Sequence, residues 1–207
     1  MTIFSDKALI LIGFQNDYFS TDGILHKVIE ESSRATGVLQ NTLNLMRVAG
    51  QEFGKVINTP IHFTEDYREL NNPIGILKVI AEVGAFKEGS FGAETIVQFQ
   101  EFDDFVEVVP GKRGLNAFSN TDLEKILRNA GIKELVIAGT VTSICIDSTA
   151  RSAIDMGFAV TILSDCTSSR TPFEQDFYCQ EVFPLYAKVC RSDELIASLS
   201  TEVGCAK

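Results

Sequence analysis

Leu135-Val136-Ile137-Ala138-Gly139-Thr140-Val141-Thr142-Ser143-Ile144-Cys145-Ile146-Asp147-Ser148-Thr149-Ala150 is the stretch on which the fold turns. Residues 135–138 form a short continuous apolar run, the pattern of a strand covered on both faces. A turn containing Gly139 and Thr140 follows, then a helix from about Ser143 with Cys145 in its first turn. Backbone N–H groups in a first helical turn have no intrahelical partner, and the helix dipole is positive there. Both effects favour a thiolate over a thiol and suit a developing oxyanion. The same position equally suits a small apolar residue packing helix on sheet, which is what most buried cysteines are.

Outward from this unit the chain repeats the alternation. Residues 8–12 (Ala-Leu-Ile-Leu-Ile) make a second buried strand that runs into Gly13-Phe14-Gln15-Asn16-Asp17-Tyr18-Phe19. Further strands are expected at 59–64, 105–109, 159–163 and 187–189. Helical spacing covers 28–49 as far as Gly50, and a helix capped by Ser119 or Asn120 is expected to end at Gly131. Another helix begins near Pro172, and a short one closes the chain. The segment 65–104, broken by Pro73, Gly75, Gly84, Gly89 and Gly92, reads as a loop-rich lid or insertion with one short helix. Six strands alternating with helices predict one domain over 1–207, a three-layer α/β/α fold on a doubly wound, mainly parallel sheet. Ligands in such sheets bind at the carboxyl ends of the strands.

Composition narrows the function. The chain has 207 residues, 45% hydrophobic and 22% charged, which is ordinary for a globular enzyme. A net charge of −10 argues against nucleic-acid and anionic-membrane partners. Five cysteines without a Cys-x-x-Cys pair suggest a reducing, cytoplasmic setting. The apolar run at 8–14 is too short for a signal segment or a membrane span. Neither strand end carries Gly-x-Gly-x-x-Gly, so dinucleotide binding is not supported. The only histidines, His26 and His62, have no ligand spacing, and no metal or other cofactor is expected. With so little histidine, the sequence offers Lys112 and Arg113 after a strand and Pro110-Gly111; a lysine there can stabilise a nearby thiolate, and equally suits a solvated surface position.

Taken together, residues 8–19, Lys112 with Phe118, Gly89-Ser90-Phe91-Gly92-Ala93-Glu94, 139–145 with Thr149-Ala150, and Ser164-Asp165 resemble the isochorismatase-like cysteine hydrolases across nearly the whole chain. The resemblance implies hydrolysis of a small amide or related C–N bond by an Asp–Lys–Cys triad, with Cys145 as nucleophile and Lys112 as the triad lysine. It also implies a cis peptide between Thr140 and Val141, an oxyanion hole from the Val141 and Cys145 N–H groups, and a homo-oligomer acting on a small molecule. Phe19, Tyr67, Phe91 and Phe118 are candidate pocket walls.

One departure matters. The family's catalytic aspartate directly follows the first apolar run, and here that position is Gly13, although Gln15, Asn16 and Asp17 are kept. General acid–base help is worth about 10²–10⁴-fold. Asp17, Glu65 and Asp66 are the candidates to replace the missing carboxylate, and Gly13→Asp is expected to yield a much faster hydrolase. The segment Thr64-Glu65-Asp66-Tyr67 lacks the histidine of the family's metal-binding nicotinamidase branch, and the lost aspartate also argues against isochorismatase chemistry. The alternative is a catalytically impaired member that binds a small molecule or a protein with the old pocket.

Overall fold

A computed structural model describes residues 3–205, with side chains as far as Ser198. Six strands, β1 (Phe4–Ile12), β2 (Phe53–Thr59), β3 (Val106–Val108), β4 (Glu134–Thr140), β5 (Ala159–Ser168) and β6 (Lys188–Cys190), form one sheet. Their order is β3-β2-β1-β4-β5-β6, and every pairing is parallel. The helices are α1 (Asn16–Phe19), α2 (His26–Thr36), α3 (Val38–Ala49), α4 (Gly75–Val83), α5 (Leu123–Asn129), α6 (Asp147–Asp155), α7 (Pro172–Phe177) and α8 (Ser192–Cys205).

Because successive strand residues face opposite sides, the apolar runs supply two cores at once. Ala8, Ile10 and Ile12 of β1 join Leu135 and Ile137 of β4 in a core closed by Leu123 and Leu127 of α5 and Ala150 and Ala153 of α6. Leu9, Leu11, Val136 and Ala138 point the other way, onto Val38, Leu45 and Met46 of α3 and Leu195 of α8. A third cluster, with Tyr18, Ile61, Phe63, Tyr67, Ile80, Phe86 and Val141, lies apart from both. It belongs to the loops after β1, β2 and β4 and to α4, so it covers the carboxyl ends of the strands.

Several boundaries differ from the sequence reading: β1 starts at Phe4 rather than 8, and β5 runs on to Ser168 rather than stopping at 163. The second strand is Phe53–Thr59 rather than 59–64. Gly54 and Lys55 dilute its apolar pattern, but Lys55 pairs with Glu107 of the neighbouring strand at 2.7 Å. Pro60 then ends the ladder because it has no N–H to give, and 61–63 make only isolated bridges, to Lys112 and Lys87. The expected 28–49 helix is two helices, broken at Gly37, which takes the left-handed conformation that a side chain resists. The helix expected to be capped by Ser119 or Asn120 starts later, at Leu123, whose N–H is taken by Thr121 Oγ1 at 3.3 Å.

Candidate active site

The sheet order reverses between β1 and β4, and the loops leaving these two strands diverge there. Such a crevice is where open α/β sheets bind ligands. From β4 the chain passes through a cis peptide at Thr140–Val141 and a π-helical turn, Thr142–Ile146, before α6 begins. The Val141 carbonyl accepts both the Ile144 and Ile146 N–H groups, at 3.0 and 3.2 Å. Cys145 therefore stands in a widened first turn, 8% exposed. Thr142 Oγ1 donates to Gln175 Oε1 at 2.5 Å, and Gln175 in turn donates to the Ser164 carbonyl and Thr167 Oγ1 at 3.0 Å. This ties the turn to β5 and α7.

Lys112 comes from the opposite wall. Its backbone runs beside the 61–62 segment, where the His62 N–H donates to the Lys112 carbonyl at 3.2 Å. The side chain is 1% exposed, and Nζ lies 2.6 Å from the Gly114 carbonyl and 3.7 Å from Cys145 Sγ. Burial pushes the Lys112 pKa down, while charge on Cys145 and the hydrogen bond to its sulfur push it back up. Burial pushes the thiols of Cys166 and Cys179 up to about 12 and raises that of Cys190. The side chain of Cys205 lies outside the described residues.

Gly13 faces the same space. Cys145, Lys112, Gly13, Ile12, Tyr18, Ile61, Ile76, Ile80, Leu115, Thr140 and Ile144 enclose a cavity of about 10 Å³, room for about one water. The candidate replacement carboxylates are elsewhere. Asp17, buried, accepts the Phe86 N–H at 2.7 Å and the Ile24 N–H at 3.2 Å, so it binds the roof to the loop after β1. Glu65 and Asp66 are exposed, and Asp66 is turned to Thr64 Oγ1 at 2.9 Å. Removing the Asp17 carboxylate orphans two backbone donors, so Asp17→Ala should lower unfolding free energy by on the order of 3 kcal/mol. A urea midpoint equal to that of the parent would show that these bonds are replaced by water.

None of the four expected pocket aromatics lines this cavity. Phe19 stacks on Phe14 with centroids 5.2 Å apart. Tyr67 packs on Phe63 and gives its hydroxyl to the Ala85 carbonyl at 2.6 Å. Phe118 stacks on Phe158, and Phe91 is 56% exposed. The walls are instead Tyr18 and the aliphatic Ile61, Ile76, Ile80, Leu115 and Ile144. Gln15 also escaped notice as a builder: it donates to the Ile61 and Ala93 carbonyls at 2.9 and 2.7 Å and accepts the Ile61 N–H at 2.9 Å. His62 shares a hydrogen bond at 2.9 Å with the Ala93 carbonyl.

A parallel α/β/α sheet with a buried cysteine–lysine contact at its switch point is the architecture of a hydrolase class. Residues 7–194 match the isochorismatase domain model, and the chain belongs to the isochorismatase family of hydrolases. It is 29% identical over 196 residues to the isochorismatase family protein YecD of Escherichia coli O157:H7, covering 93% of this chain and 95% of that one. It is 25% identical over 162 residues to nicotinamidase 3 of Arabidopsis thaliana, covering 78% and 73%. A cysteine hydrolase from Pseudomonas syringae pv. phaseolicola 1448A superimposes with a TM-score of 0.80 at 20% identity, covering 95% and 93%.

Proposed function

We propose that this protein hydrolyses a small carboxamide or related C–N substrate through Cys145. The observation that carries this is the 3.7 Å contact between two buried groups, Lys112 Nζ and Cys145 Sγ, on a cavity that also holds the empty aspartate position. A buried ammonium without a carboxylate partner needs the thiolate as its counter-charge. The pair is then neutral overall, either as amine and thiol or as ammonium and thiolate.

In this reading Cys145 passes its proton to Lys112, and the thiolate attacks the substrate carbonyl carbon. A C–S bond forms, and the C=O π pair moves to oxygen, where the Val141 and Cys145 N–H groups receive it. Collapse expels the amine, which leaves with one proton, and water then hydrolyses the thioester. Ile76 and Ile80 of α4 close the cavity, so entry of a substrate requires α4 and its flanking loops to act as the lid expected within 65–104.

The test is the alkylation rate of each cysteine by iodoacetamide, read by peptide mass spectrometry. At neutral pH Cys145 should label well ahead of Cys166, Cys179 and Cys190. Labelling of Cys145 no faster than these would remove the nucleophile. It would leave the reading that Gly13 itself favours, a family member that binds a ligand without turnover.

A further inference from the structure

We propose that Gln175 is a positioning residue for the nucleophile: its side-chain carbonyl holds Thr142, the first residue of the turn that carries Cys145, and so keeps the sulfur beside Lys112. This rests on Cys145 being the nucleophile.

The direction of each bond in this link is set from β5 outward. Thr167 Oγ1 gives its one hydrogen to the Leu163 carbonyl at 3.0 Å, so toward Gln175 Nε2 it can only accept. The Ser164 carbonyl also can only accept, and Nε2 reaches it at 3.0 Å. Nε2 is thereby turned toward β5, with Cys179 Sγ at its flank, 3.3 Å away. Oε1 points the other way, onto the Thr142 hydroxyl at 2.5 Å. Gln175 and Thr142 are both buried, so water does not compete for the bond. Neither lines the cavity, so whatever they do for the reaction passes through Cys145.

The turn needs an outside hold, because no side chain of its own caps it. Its inner brace is the Val141 carbonyl, shared by the Ile144 and Ile146 N–H groups. The residue after Thr142 is tied to the same helix. Ser143 Oγ lies 3.4 Å from Ser169 Oγ, which donates to Glu174 Oε2 at 2.6 Å. Burial opposes the charge on Glu174, but hydrogen bonds from Arg170, Ser169 and Ser143 bring its carboxyl down to about 2, so this acceptor is ionised at neutral pH. α7 is itself fixed at its start, where Thr171 Oγ1 accepts the Glu174 N–H at 3.1 Å and Pro172 follows. Two successive residues just before Cys145 thus hang on α7, while Lys112 Nζ waits 3.7 Å from the sulfur on the opposite wall.

Thr142→Val removes the hydroxyl at nearly constant volume, Thr142→Ser keeps it, and Gln175→Leu removes the acceptor. Iodoacetamide labelling of Cys145 is followed against pH, with Cys166 as the internal reference and a urea midpoint for each variant. Thr142→Val and Gln175→Leu are expected to label Cys145 about tenfold slower than the parent at neutral pH, the lower end of what an opposite charge at 4–6 Å does for ionisation. Their rates should converge on the parent in alkali. Thr142→Ser should follow the parent throughout. The double variant should be no slower than either single one, because the same link is cut in all three. Unchanged profiles beside lowered urea midpoints would overturn the proposal and leave the bond a contributor to stability alone. Slowing by the same factor at every pH would overturn it as well, since that reports only access to the sulfur. So would a Thr142→Ser as slow as Thr142→Val. If Gln175→Leu fails to fold, the two Thr142 variants decide the matter alone. A parent Cys145 no faster than Cys166, Cys179 and Cys190 would remove the nucleophile itself, and the Gln175 role with it.

Discussion

Replacing Lys112 with methionine is expected to slow alkylation of Cys145 at neutral pH by about a hundredfold, since an opposite charge within 4–6 Å shifts ionisation by about 1–3 pH units. Nζ is 3.7 Å from the sulfur and nearly sealed from water, so the attraction is little screened. Methionine preserves most of the lysine stem and removes a buried ammonium whose desolvation opposes folding. Against this, the Gly114 carbonyl loses its 2.6 Å donor. The two effects oppose each other, and the urea midpoint should move little. Lys112→Ala would add a hole in the packing and lose about 2 kcal/mol or more. Equal labelling rates in the parent and in Lys112→Met would separate Cys145 reactivity from Lys112 altogether.

Gly13→Asp is expected to lose about 1–3 kcal/mol of stability, rather than simply regain a catalytic group. Gly13 has φ +75°, and a Cβ placed there would stand 2.6 Å from the Thr140 carbonyl oxygen and 3.1 Å from Thr140 Cγ2. Thr140 cannot easily retreat, because its Oγ1 donates to the Ser168 carbonyl at 3.0 Å and it sits in register with Ser168 on β5. The expectation of a much faster hydrolase is therefore revised. The carboxylate can reach the cavity only after the 12–14 backbone leaves the left-handed region. Gly13→Ala carries the same backbone strain without the carboxylate, so thermal unfolding of both variants should fall together. Two variants as stable as the parent would mean that the loop already adopts a conformation open to side chains.

The central strands were legible because burial on both faces leaves an unbroken apolar run, as in 8–12 and 135–138. The edge-side β2 was misplaced because Gly54 and Lys55 interrupt its run while Ile61 and Phe63 beyond Pro60 mimic one. Cys145, Lys112 and Gly13 were legible because each lies in the segment that leaves the carboxyl end of a strand, and the sheet gathers such segments at one end. The pocket walls were not. Neighbours in a helix point about 100° apart, so in α1 Tyr18 turns to the cavity and Phe19 to Phe14. Ile76 and Ile80 lie one turn apart on α4, a spacing that any amphipathic helix shows, and nothing in sequence tells which core it covers.

The position of β1 between β2 and β4 also sets when the site can exist. β1 pairs with β2 within about the first quarter of the chain, but its other edge waits for β4, and the Lys7–Glu134 ion pair across that edge spans 127 positions. During synthesis, the backbone groups of β1 on that side remain unpaired until well over half the polypeptide has emerged, an exposed template for pairing with the wrong strand. Closure between such distant segments is slow. The loop bearing Gly13 and Tyr18 thus meets the turn bearing Cys145 late in folding, and a nascent or truncated chain ending before β4 carries half a site and an open sheet edge.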